Sequence, residues 1–186
     1  MTGCGSLDFV TVSARVGVGA VLLVAGLLKL WPTAQDLSDA LPRWLRSREL
    51  LVRVGLGVVE TVVGAALIAG LALAATALGA AVLLATFLSW TAWRALTGTY
   101  SSCACFGPLS PSSSARVVIA RNALLLAAAG SIAWQAMRGG TVCANEPLWR
   151  LPIEWVAAAG GAAGVVAGAA VLLRELNRWR LVLSDR

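Results

Sequence analysis

Five long apolar runs constrain this chain more than any other feature. They lie at residues 11–31, 51–71, 73–93, 117–137 and 153–173. Crossing a hydrocarbon layer of about 30 Å takes about 20 apolar residues at about 1.5 Å each, so every run is long enough for one crossing. In a chain of 186 residues, five such runs leave room for short connections but not for a second folded domain.

The composition supports the same conclusion. Hydrophobic residues make up 59% of the chain and charged residues 13%, whereas soluble domains carry about 45–50% and about 25%. The fold predicted is all-α: a multi-pass bundle of about five transmembrane helices in the cell membrane, the fifth of them at the C-terminus. The net charge of +6 does not indicate nucleic-acid binding, because the basic residues cluster at helix ends, where they meet lipid headgroups of the bilayer.

The connections between the runs differ in kind. The second and third runs are joined by the turn Gly70-Leu71-Ala72, which predicts a membrane hairpin, and the amphipathic connection 32–50 predicts a short interfacial helix. The connection 97–115 is too rich in Gly, Ser and Pro to continue a helix. In the fifth run a small-residue ridge favours packing against the other helices over dimerisation, and it consists of Gly160, Gly164 and Gly168.

Two of the four cysteines, Cys103 and Cys105, lie in the connection 97–115, and the chain contains no histidine. The absence of histidine excludes histidine acid–base catalysis and mixed Cys/His zinc sites. A Cys-x-Cys disulfide is strained, and strained disulfides are labile and suited to exchange. Two alternatives stay open: the pair acts as small hydrophobes, or it binds copper(I) or zinc. Two thiolates are an incomplete ligand set, so no metal is predicted.

The distribution of Lys and Arg predicts an orientation. Most of the 15 basic residues lie nearest the side that holds the connection 97–115, and the positive-inside rule makes that side cytoplasmic. The N-terminus then lies outside, and its first apolar run has no signal-peptide cleavage pattern and is predicted to be retained. Cys4 and Cys143 would both face outward as a second cysteine pair, where an oxidising exterior permits a disulfide.

Charged residues inside the apolar runs are functional candidates because charge is costly in a membrane, and three of them are singled out. They are Lys29, Glu60 and Arg121. All three are predicted in the half of the bilayer that also holds the Cys-x-Cys connection, where Glu60 can pair with Lys29 or Arg121. A remaining cation would favour the reactive thiolate. The alternative is that the two cations extend to the interface and that Glu60 is a structural partner.

Four segments together resemble a known family, the methylamine-utilisation protein MauE family, which is related to DoxX-like membrane proteins. The resemblance covers residues 11–137 as a four-helix core with the Cys-x-Cys loop at 97–115, and it leaves out 1–10 and 138–186. The segments are Val24-Ala25-Gly26-Leu27-Leu28-Lys29-Leu30, Val58-Val59-Glu60-Thr61, Cys103-Ala104-Cys105-Phe106-Gly107 and Arg121-Asn122-Ala123-Leu124-Leu125.

The resemblance implies a membrane protein that works with a thioredoxin-like partner in maturing an extracytoplasmic, disulfide-rich enzyme of methylamine utilisation. The layout is also similar to vitamin K epoxide reductase, which passes electrons from thiols to a quinone. By that analogy Cys103 and Cys105 form the redox pair of a thiol–disulfide oxidoreductase, and the three charges line its pocket. Maturation outside the cell would place the loop outside, in contrast to the charge distribution. Two alternatives remain: a non-catalytic scaffold or chaperone, and a DoxX-like quinone-reactive subunit of an oxidoreductase complex.

Overall fold

The computed structural model describes residues 6–30, 48–98 and 114–139, and nearly all of them are helical. Each of the four helices is long and apolar enough to cross a membrane, which confirms the all-α prediction for the first four apolar runs. The fifth run, with Gly160, Gly164 and Gly168, lies outside the described residues, as does most of the connection 32–50. The helices are α1 (Ser6–Leu30), α2 (Glu49–Ala69), α3 (Leu73–Leu96) and α4 (Ala115–Arg138).

A tight turn joins α2 to α3, as the sequence predicts. Gly70 adopts the left-handed conformation with φ of 74°, which glycine reaches without steric cost. The amide of Leu71 donates to the carbonyl of Ala66 at 3.0 Å, so an otherwise unpaired carbonyl at the end of α2 is satisfied. Ala72 also has a positive φ, of 44°. The turn reverses the chain within three residues and makes α2 and α3 antiparallel.

Two ends of the bundle follow from this topology. At the loop end, α1 and α3 finish at Leu30 and Leu96, and α2 and α4 begin at Glu49 and Ala115. The turn end is the opposite one and holds the Gly70–Ala72 turn. A hydrogen bond between Thr11 near the start of α1 and Gln135 near the end of α4 places both at the turn end.

Glycines let α1 and α2 approach each other closely. A Cβ built on Gly64 would lie 2.6 Å from the backbone nitrogen of Leu23 and 2.7 Å from the carbonyl oxygen of Gly19. The contact repeats seven residues away on each helix, where a Cβ on Gly57 would lie 3.1 Å from the carbonyl oxygen of Gly26. Side chains at these positions would push the backbones apart, so the paired glycines set the antiparallel register.

The four helices form two pairs around an apolar core. α1 packs mainly against α2, and α3 mainly against α4, with fewer contacts between the pairs. The core joins the pairs on the side of the turn end, and outward faces are apolar too, as expected where lipid replaces water. Its buried members are Val18, Leu22, Leu67, Leu73, Ala77, Ala80, Leu84, Ala129, Ile132 and Ala133.

The α1 helix carries the most polar buried stripe. Its buried residues recur with the 3.5-residue period of a helix that faces a partner along its whole length. The middle of the stripe is apolar, while one end carries Asp8, Thr11 and Arg15 and the other Lys29. The helix begins at Ser6, five residues before the apolar run 11–31, and this first part includes the buried Asp8.

Candidate functional site

The loop-end half of the bundle contains a buried ion pair between Lys29 of α1 and Glu60 of α2. The Lys29 Nζ donates to both carboxylate oxygens, at 2.6 Å to Oε2 and 2.9 Å to Oε1. The two side chains are 2% and 1% exposed. Of the two partners that the sequence allowed for Glu60, the structure therefore has Lys29.

The antiparallel register explains why these two side chains meet. With Gly26 opposite Gly57, Lys29 and Glu60 are offset by about six residues, or about 9 Å along the helix axes. Side chains on a helix lean toward its N-terminus. In antiparallel neighbours Lys29 therefore leans into the bundle and Glu60 leans toward the loop end, and the long lysine side chain closes the remaining gap.

An aromatic ring adds to the environment of the ammonium group. The Lys29 Nζ lies 5.7 Å from the centroid of the Phe87 ring on α3, within the range of a cation–π contact. The pair is thus placed between the α1–α2 pair and the α3–α4 pair. Charge at such depth is costly unless it is paired and hydrogen-bonded, and Lys29 and Glu60 meet that condition.

The third predicted charge, Arg121, lies in the second turn of α4 and is partly buried. The partner that the structure shows for the Glu60 carboxylate is Lys29. Arg121 shares the loop-end half of the bundle with this ion pair.

The sequence analysis did not predict a role in the site for two neutral polar residues of the same half. Thr91 of α3 and Asn122 of α4 are each 1% exposed. The Thr91 hydroxyl and both polar atoms of the Asn122 amide have no hydrogen-bond partner in the structure as described. The available signal was helical spacing: Thr91 is seven residues after Leu84, and Asn122 is four residues after Val118 on the buried face of its helix.

A second polar cluster lies at the turn end. The Thr11 hydroxyl contacts Oε1 of Gln135 at 2.7 Å, linking α1 to α4. Asp8 is 7% exposed and Arg15 is fully buried on the same stripe of α1. The apolar core separates this cluster from Lys29, so the described helices carry two distinct polar regions at opposite ends.

The four cysteines all lie outside the described residues, so the predicted pairs Cys103/Cys105 and Cys4/Cys143 stay predictions. Both chain ends that lead into the Cys-x-Cys connection, Gly98 and Ser114, are at the loop end, as is Lys29. Within the described helices, no group of three or more acidic or thiol side chains could hold a metal ion.

Comparison with known proteins yields one match. The model of a family described as methylamine utilisation protein MauE matches residues 7–135, which is more than half of the chain and includes all four described helices almost completely. No curated protein and no solved structure matches.

Proposed function

This chain belongs to the methylamine utilisation protein MauE family, and from that premise we propose that it is a membrane thiol–disulfide redox protein. Its four apolar helices and its family make it a multi-pass membrane protein. The proposed role is disulfide exchange between the Cys103–Cys105 pair and a thioredoxin-like partner during maturation of an extracytoplasmic enzyme. Because the family is described by methylamine utilisation, the proposed enzyme is one of that process.

One observation carries the proposal: a buried ion pair lies in the half of the bundle next to the connection that holds Cys103 and Cys105. Purely structural membrane helices avoid such charge, and ionisable residues at this depth usually mark a site. The alternative that Lys29 extends to the interface does not fit its 2% exposure and its two bonds to Glu60. The pair therefore supports a reactive site at the loop end.

The lengths of chain involved permit the cysteines to reach this region. Cys103 is five residues after Gly98, which is a reach of up to about 18 Å at about 3.3–3.6 Å per residue. Cys105 is nine residues before Ser114, the last residue before α4. Because Glu60 pairs with Lys29, a cysteine held near the other cation of this half, Arg121, would be favoured as the thiolate, which is the attacking form in disulfide exchange.

The proposed exchange balances as follows. A thiolate of the reduced partner attacks the Cys103–Cys105 disulfide and forms a mixed disulfide, which the second partner thiol resolves. The partner leaves with a disulfide, and Cys103 and Cys105 become thiols. A lipid-soluble quinone is the proposed oxidant: it takes two electrons and two protons from the dithiol, becomes a quinol and restores the disulfide.

Trapping tests the proposal directly. With either Cys103→Ser or Cys105→Ser, the remaining thiolate attacks the disulfide of the oxidised partner and releases one partner thiolate, but the chain has no second cysteine to resolve the adduct. With the oxidised thioredoxin-like partner in excess, a mixed disulfide should therefore accumulate on non-reducing gels. Cys143→Ser, outside the proposed pair, serves as the matched control and should give no such adduct. Unimpaired partner turnover in both serine variants would reject a redox role and favour a scaffold or chaperone.

The side of the membrane is tested with a membrane-impermeant thiol reagent. Applied to intact cells after reduction, the reagent labels Cys103 and Cys105 if the loop is extracytoplasmic, as family analogy predicts. It spares them and labels Cys4 and Cys143 if the positive-inside rule holds. The labelling pattern therefore decides on which side the partner must be sought.

A further inference from the structure

The polar atoms of Thr91 and Asn122 form an unusual feature of the bundle. In hydrocarbon each unsatisfied polar group costs several kcal/mol, and buried polar groups in native proteins are overwhelmingly paired. Here a hydroxyl and both ends of an amide are buried without a partner in the described part of the protein. Such a set indicates that something else completes the hydrogen bonds.

The two residues lie at nearly the same depth from the loop end. Thr91 is five residues before the end of α3 and Asn122 seven residues after the start of α4, which puts them about 8 and about 11 Å below the helix ends. Thr91 follows Phe87 by one helical turn, and the Phe87 ring touches the Lys29 ammonium. The orphaned groups therefore belong to the same half of the bundle as the ion pair.

The packing in this half favours entry of a ligand. Toward the loop end, the apolar core that joins the two helix pairs reaches Leu22 on α1 and Leu84 on α3, and neither Ala25 nor Val118 belongs to it, although both are buried. Beyond these residues, polar side chains lie between the pairs. Separating the pairs at this level exposes less apolar surface than separating them across the core, so the seam between them opens more easily here.

We infer that this seam binds a lipid-soluble molecule through a ring carbonyl, held by the Asn122 amide and the Thr91 hydroxyl. A carbonyl oxygen has two lone pairs and can accept from both donors. A ligand about 10 Å below the helix ends must enter from the hydrocarbon, whereas the ester groups of phospholipids lie in the interfacial layer. Binding of such a molecule does not depend on the proposed function. Only its identification as the quinone that takes electrons from Cys103 and Cys105 rests on that function.

Binding is measured on the full chain in lipid nanodiscs with a benzoquinone that carries a short alkyl tail. The chain has eight tryptophans, and Trp90 adjoins Thr91 in α3, so a bound quinone should quench fluorescence in a saturable way. Asn122→Leu and Thr91→Val should each weaken binding about threefold to tenfold, the effect of one lost hydrogen bond. Thr86→Val, an exposed position on the same helix, should leave the affinity unchanged, and an alkylbenzene with the same tail should not saturate.

A stability measurement accompanies the titration. Asn122→Leu removes orphaned groups and should keep or raise the midpoint of thermal unfolding while binding falls. Three results would each overturn the inference. They are unchanged quinone affinity in both Asn122→Leu and Thr91→Val, quenching no different from that by the alkylbenzene, and an ordered water as the only molecule bound to Thr91 and Asn122. Normal binding by a protein whose thiols never reduce the quinone would reject the redox function and leave the site standing.

Discussion

Removing one partner of the Lys29–Glu60 pair tests whether the loop-end half is held together by this ion pair. Glu60→Leu leaves an ammonium group that is 2% exposed and has lost both of its described carboxylate contacts. Lys29→Met leaves the complementary carboxylate without its donor. The double variant removes both charges and leaves apolar side chains of similar size in a membrane interior.

The magnitudes follow from the burial of the pair. Each single variant should lose about 3–5 kcal/mol of unfolding free energy, since breaking a buried pair strands a charge. The double variant should lie within about 1 kcal/mol of the wild type or exceed it, because apolar replacement of a whole buried pair is often neutral or stabilising. The double variant is thus expected to be more stable than either single variant.

The assay combines stability and activity on the same samples. Unfolding is followed in mixed micelles by titration with a denaturing detergent, and thiol exchange with the partner is followed by mixed-disulfide formation. If Lys29 and Glu60 act in the site, the double variant is folded but exchanges slowly. If they are only structural, the double variant recovers both properties together.

Two results would refute this reasoning. Losses below about 1 kcal/mol in both single variants would mean that the charges are solvated and that the pair resembles a surface salt bridge. Losses that add up in the double variant would mean that each side chain contributes through other contacts and not through the pair.

Two further predictions concern helix packing. Gly64→Ala should lower the free energy of unfolding by about 3 kcal/mol, at the upper end for overpacking, because the added methyl meets backbone atoms of α1 at 2.6 and 2.7 Å. Gly130→Ala, where nothing lies within 4 Å of the added methyl, should raise it by about 0.5–1 kcal/mol through helix propensity. Equal effects in a thermal-shift comparison would contradict the close approach of α1 and α2. Thr11→Val should lower the free energy of unfolding by about 0.6–1.7 kcal/mol through loss of the contact with Gln135, and Thr86→Val, at an exposed position, should lower it less. A larger loss for Thr86→Val than for Thr11→Val in the same unfolding titration would contradict this prediction.

Much of the transmembrane architecture was predictable because it depends on local properties. Apolar length and composition identify a crossing segment wherever it packs, and the turn at Gly70 follows from residues next to one another. The start of α1 was placed five residues too late, since an apolar-run criterion does not recognise polar residues that are buried by another helix. Asp8 is such a residue.

The site was predictable in part. The cost of ionised groups in hydrocarbon drew attention to Lys29, Glu60 and Arg121, but not to Arg15, which lies in the first run and is fully buried. For the neutral residues Thr91 and Asn122 the sequence offers only helical spacing, and their significance comes from unpaired hydrogen-bonding atoms, which are visible only when neighbouring helices are in place.

By itself, the amino-acid sequence determined that the chain can cross a membrane, where its first four crossings lie and which charges must be accounted for, since hydrophobic transfer and helix length are summed along the chain. Only the tertiary structure decided that Glu60 binds Lys29. That choice depends on the register of α1 against α2, which is set by the contact of Gly26 with Gly57 and of Gly19 with Gly64. These contacts join residues that are distant in sequence. A glycine allows them because it has no side chain, and the sequence does not show which backbone of another helix lies in that space.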